Sequence, residues 1–115
     1  MPAIHLHKIS THAPKGLNKE KTKIKTTRLI EEMDNMQNLL YAGARHSVLI
    51  VIQGMDGSGK DGLIRDVIGK LNPQGVTVRS FKAPVAEELS HDLLWRIHQH
   101  APPKGMIQVF NRSLY

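Results

Sequence analysis

The chain contains no cysteine, which excludes a disulfide framework and any thiolate metal site. That fits a reducing compartment, and the cytoplasm is the expected location. Aromatic residues are scarce, with two Phe, two Tyr and one Trp. None interrupts the basic run near the N-terminus, so stacking on nucleic-acid bases is disfavoured. No apolar run approaches the ~20 residues of a membrane span, and the start of the chain lacks the apolar core of a secretory signal. What remains is an ordinary globular composition, 40% hydrophobic and 23% charged in 115 residues, enough for one small domain.

The formal net charge of +6 is unevenly spread. Lys8, Lys15, Lys19, Lys21, Lys23, Lys25 and Arg28 face Glu20 alone, whereas from residue 29 onward nine basic and nine acidic residues cancel. Residues 1–27 carry too little bulky apolar surface to offset ordering and are expected to be an extended or disordered basic arm. Such an arm is either a solvated tail or a collector of polyanions.

Beyond the arm, Leu29, Met33, Met36 and Leu40 recur at helical spacing, predicting an amphipathic helix that stops near Gly43. Val48 to Ile52 is an unbroken apolar run, the mark of a strand covered on both faces of a parallel sheet. Leu63, Ile64, Val67, Ile68 and Leu71 mark one face of a helix, stopped by Asn72-Pro73-Gln74-Gly75. Val76 to Phe81 alternates as a second, less buried strand, and Glu87 to His100 reads as one helix with Leu89, Leu93, Leu94 and Ile97 inward. Met106 to Phe110 is a third strand. The order helix-β-α-β-α-β predicts an α/β fold with right-handed crossovers and a parallel sheet. His98 and His100 are too poorly spaced on a helix to share a metal, while His91, Trp95 and His98 share a face suited to a domain or subunit contact.

The chemistry concentrates where the first strand ends. Gly54-Met55-Asp56-Gly57-Ser58-Gly59-Lys60 reads G-x-x-x-x-G-K between a strand and a helix, the context of a phosphate-binding loop. Its amides, the helix N-terminus and the Lys60 ammonium converge on phosphate. Asp61 stands where Ser or Thr commonly binds magnesium, and is either part of the phosphate site or a capping residue. Asp56 puts a carboxylate beside phosphates, which a cation between them would make favourable; it is a candidate magnesium ligand. Phe110-Asn111-Arg112-Ser113 ends the third strand, where ligands bind in open α/β sheets. Arg112 can reach phosphates bidentately, and Asn111 can offer a metal only a neutral carbonyl. Lys82, in Ser80-Phe81-Lys82-Ala83-Pro84, ends the second strand and either extends the positive surface or is a plain surface lysine. Glu87 and Glu88 are explained by the helix dipole alone.

Together these segments resemble the polyphosphate kinase 2 family. The similarity is carried by the loop through Gly62, by Asn72-Pro73-Gln74-Gly75 and Ser80-Phe81-Lys82-Ala83-Pro84, by Glu87-Glu88-Leu89 with His91-Asp92-Leu93-Leu94-Trp95-Arg96-Ile97-His98, and by Phe110-Asn111-Arg112-Ser113. The resemblance implies a P-loop kinase-like fold similar to thymidylate kinase. It also implies magnesium-dependent phosphoryl transfer between inorganic polyphosphate and a nucleoside mono- or diphosphate, by a homo-oligomer when full length. By position it makes Asp56, Lys60 and Arg112 catalytic, and Asp56 and Asn111 metal-binding. Departures from the family pattern are Gly57, Val85 and Leu114. The family's catalytic domain is longer, so residues 28–115 are expected to be its N-terminal portion, with the sheet stopping after the third strand and the isolated chain inactive. Two other readings stand beside it: an ATP-dependent nucleoside monophosphate kinase of thymidylate-kinase type, and a non-catalytic polyanion binder.

Overall fold

Three parallel strands, β1 (Val48–Ile52), β2 (Val76–Ser80) and β3 (Ile107–Asn111), form a sheet of order β1-β3-β2. The computed structural model describes residues 4–112; Ser113 and Leu114 lie outside the described residues. The register sets Val48, Ile107 and Val76 side by side at one end and Ile52, Asn111 and Ser80 at the other. The loops that carry the candidate residues therefore leave the sheet from one level edge.

Burial corrects one expectation. β3 is buried along its whole length because a strand flanks it on each side. β1, despite its unbroken apolar sequence, is an edge strand on which Leu49 and Val51 are 45% and 48% exposed. An apolar run states what a strand is able to bury; its neighbours decide what it does bury. Ile50 and Ile52 point the other way, into a core built from Ile68, Leu71, Ile107 and Val109 with Met33, Leu40, Ile64 and Val76 against it.

Helix α1 (Lys19–Gly43) starts well before the expected boundary, so residues 19–27 are helical and not extended. Asn18 caps it, its side-chain oxygen accepting from the amides of Glu20 and Lys21 at 2.9 and 3.2 Å. These first turns are exposed throughout, so no apolar stripe announces them. The predicted stripe also packs differently: Met33 and Leu40 join the core, while Leu29 and Met36 are exposed. Gln37 is the buried residue of this helix, bonding both the amide (2.9 Å) and the carbonyl (2.8 Å) of Asn72.

The second predicted helix is α2 (Lys60–Asp66) followed by a 3-10 turn at Ile68–Lys70. The third is broken into α3 (Ala86–Ser90) and α4 (Trp95–His98). Asp92 causes the break: its carboxylate accepts from the amides of Leu94 (2.7 Å) and Trp95 (3.1 Å), a local turn that competes with helix. Leu89, Leu93 and Leu94, expected inward, are exposed as a result. His91 stacks on Trp95 at 4.0 Å. Among the described residues no helix is long and apolar enough to cross a membrane.

Candidate phosphate-binding site

The loop after β1 takes its shape from its glycines. Gly57 and Gly59 have φ of 76° and 88°, which glycine alone adopts without strain. A Cβ on Gly54 would lie 2.6 Å from Ser58 Oγ. The curl brings Asp56, Gly57, Ser58, Gly59, Lys60 and Asp61 around a cavity of about 240 Å³ that Arg112 completes from the end of β3. Residues 56 and 112 are far apart in sequence, and the level strand ends make them neighbours.

Lys60 is 9% exposed, and its ammonium donates to the carbonyls of Gly54 (2.7 Å) and Met55 (2.6 Å) and to Ser58 Oγ (3.3 Å). Gly54 and Met55 thus serve the site by holding the lysine; they do not line the cavity. Arg112 donates from Nη2 to Asp56 Oδ1 at 2.7 Å. Its backbone is held in the left-handed region, φ 70°, with its amide donating to Ile52 O at 3.0 Å. A non-glycine residue there is strained, and such strain is kept where surrounding contacts over-determine the position.

The two expected metal ligands have different partners. Asp56 engages Arg112, whereas Asn111 Nδ2 donates to Asp61 Oδ1 at 2.8 Å. Asn111 Oδ1 is buried and has no hydrogen-bond partner. Asp56 and Asp61 put carboxylate oxygens, the kind hard divalent cations take, on the cavity wall, and Asn111 is not on that wall. Among the described residues no group of three or more His, Cys, Asp or Glu side chains is placed to hold a metal. A cation here would need water or phosphate oxygens as well.

Lys82 lies outside the loop cavity. It lines a second one of about 360 Å³, whose wall has Phe81, Pro84, Leu89 and Leu93 on the apolar side, the cations Arg96 and Arg112, and the carboxylates Glu88 and Asp92. Arg112 belongs to both cavities. Sequence reasoning missed Arg96 and gave Glu88 no part. Arg96 Nη2 donates to Lys82 O at 2.9 Å, and its Nη1 lies 3.5 Å from Glu88 Oε2. The signal was available only as a run of charges on a helix, which by itself means little.

A strand, a glycine loop ending in a buried lysine, a helix, and an arginine returning from the neighbouring strand define an α/β protein of P-loop kinase-like fold. Comparison with known proteins narrows the class. The family model for polyphosphate kinase 2 matches residues 16–115, and the chain belongs to that family. It is 54% identical over 86 residues to the ADP-polyphosphate phosphotransferase of Rhodopseudomonas palustris, covering 75% of this chain and 30% of that protein. It is 51% identical over 87 residues to the AMP/ADP-polyphosphate phosphotransferase of Meiothermus ruber, covering 76% and 33%. The fold superposes on the crystal structure of polyphosphate kinase 2 from Arthrobacter aurescens TC1 with a TM-score of 0.87 and 35% identity, over 97% of this chain and 42% of that one. The chain thus spans about a third of the length of these two curated relatives.

Proposed function

We propose that the chain serves phosphoryl transfer between inorganic polyphosphate and a nucleoside mono- or diphosphate, in the cytoplasm. The observation that carries this reading is the sharing of Arg112 by two adjoining cavities. One is lined by loop residues and Lys60 and suits a condensed phosphate. The other pairs an apolar wall with Lys82, Arg96 and Arg112 and suits a nucleotide, base against Leu89 and Leu93, phosphates toward the shared arginine. The transferred group would sit between them. The names of the relatives favour polyphosphate over ATP as the donor.

Phosphoryl transfer passes through a loose transition state, so the residues need to position and neutralise more than to react. Lys60 exchanges its carbonyl partners for phosphate oxygens. Arg112 is held ready by Asp56 and turns its fork to the moving group. Gly57, Ser58, Gly59 and Asp61 present backbone amides at the start of α2. Asp56 would hold magnesium, with Asp61 and Asn111 as further oxygen donors, and the bound ion would neutralise charge on phosphate oxygens.

Calorimetric titration of the 115-residue chain with tripolyphosphate and magnesium tests the reading. Lys60→Ala is expected to weaken binding roughly tenfold or more, the loss of a charge-assisted contact. ATP formed from ADP and polyphosphate by a full-length version supports the proposal, and none formed overturns it. Transfer from ATP alone, with polyphosphate inert, replaces it with a nucleoside monophosphate kinase. Binding that survives Lys60→Ala and disappears when residues 1–27 are removed replaces it with a basic polyanion binder.

A further inference from the structure

We propose that Arg96 and Glu88 are positioning residues that hold the loop from Lys82 to Val85 in the shape that brings Lys82 to the second cavity. The inference rests on reading that cavity as the nucleotide site.

Within this loop only Val85 is tied to a helix: it caps α3, its carbonyl accepting from the Leu89 amide at 3.0 Å. Ladder bonding ends where the Phe81 amide donates to Asn111 O at 3.2 Å, and α3 begins at Ala86. Lys82, Ala83, Pro84 and Val85 are all exposed. Two side chains grip the ends of the segment. Arg96 Nη2 donates to the carbonyl of Lys82 at 2.9 Å. Glu88 Oε2 accepts from the amide of Val85 at 2.9 Å. The same Glu88 oxygen lies 3.5 Å from Arg96 Nη1, so one ion pair closes the loop from both sides.

The clamp is tied to the core. The Arg96 guanidinium lies 4.8 Å from the centre of the Phe81 ring. Phe81 is buried and packs edge-on against Phe110 at 4.9 Å, one residue before Asn111 and Arg112. A lysine would not reproduce this arginine: its point-like ammonium lacks the planar fork that reaches the carbonyl from one nitrogen and the carboxylate from another while the guanidinium lies on the ring. The side chains of Arg96 and Glu88 are only 15% and 20% exposed, unlike the solvated Arg28–Glu32 pair at 79% and 54%. Arg96 Nε is buried with no partner. The arginine is therefore placed by its other three contacts at the expense of that donor. An ion pair present only for helix-dipole complementarity would need none of them.

The test uses the full chain, magnesium and ADP as the calorimetric probe, with Lys82→Ala, Arg96→Lys and the double variant. Each single variant is expected to weaken ADP binding by roughly five- to tenfold, and the double no more than Lys82→Ala alone, because coupled residues are not additive. Tripolyphosphate binding should fall less than ADP binding in Arg96→Lys. Hydrogen exchange of the Val85 amide reads the clamp without any ligand and should quicken in Arg96→Lys and Glu88→Ala. Glu88→Gln, which still accepts from that amide but loses the ion pair, should lie between. Normal ADP affinity in Arg96→Lys, or an additive double variant, overturns the proposal. So does an unaltered Val85 amide. Lys82→Ala without effect, while Lys60→Ala still weakens tripolyphosphate, removes the role of Lys82 and the clamp's purpose but leaves the loop reading standing. Lys60→Ala without effect is the separate failure of the proposed function.

Discussion

One methyl group separates a working loop from a distorted one at Gly54. Its added Cβ would meet Ser58 Oγ at 2.6 Å and Ser58 Cβ at 3.4 Å. We expect Gly54→Ala to weaken tripolyphosphate binding by roughly tenfold, equivalent to about 1.4 kcal/mol. Because the main clash is with the hydroxyl, Gly54→Ala/Ser58→Ala should recover part of the loss; calorimetry that finds the double variant worse would refute the steric cause. At this scale the glycine spacing was readable from sequence, since glycine takes the positive φ of a tight loop without strain. The partners of the charged groups were not. Lys60 bonds carbonyls five and six residues back, and Asn111 meets Asp61 and not Asp56. Which oxygen a polar side chain finds depends on where the chain returns.

Among the elements, α1 is fastened to the rest by an amide in addition to the apolar contacts of Met33 and Leu40. Gln37 is 2% exposed and satisfies both backbone groups of Asn72. Gly75 lies so close that a Cβ there would be 2.7 Å from Gln37 Nε2. Gln37→Leu leaves the partly buried N–H and carbonyl of Asn72 without their partner and should cost about 1–3 kcal/mol. Urea unfolding followed by circular dichroism measures this, with the exposed Met36→Ala expected within about 0.5 kcal/mol of the parent. Element type was legible from periodicity in β1, β2, β3 and most of α1. The ends were not. Asn18 starts α1 where no apolar residue marks a face, and Asp92 divides a stretch whose leucine spacing reads as one helix. Both are local hydrogen bonds overriding a hydrophobic pattern.

At the scale of the molecule, the sheet has unequal cover. One face is filled by α1 and α2 side chains; the other holds Phe81, Phe110 and His100 near β2 and β3 but leaves Leu49 and Val51 of β1 exposed. His100 reports on the covered part. Burial, then the nearby charge of Arg79, hold its imidazole below the ordinary value of 6.5, with Arg96 adding to this and Glu88 opposing it. The folded state therefore prefers neutral His100. As pH falls through 6.5 the unfolded chain takes up the proton first, so stability present above that value is lost on acidification. The melting temperature should drop between about pH 7.5 and about pH 5, and drop less in His100→Gln. Equal slopes in a pH series of thermal melts would show that His100 is not linked to folding.

Sequence by itself determined the phosphate loop, the parallel α/β order and the family, because these rest on glycine geometry, on local periodicity and on short segments read in order. Tertiary structure alone decided which strand is central, which cavity each cation lines, that Arg112 joins two cavities, and that Arg96 and Glu88 meet at the loop from Lys82 to Val85. Those facts follow from strand order and register, which bring residues dozens of positions apart to one edge, and no local spacing encodes that meeting.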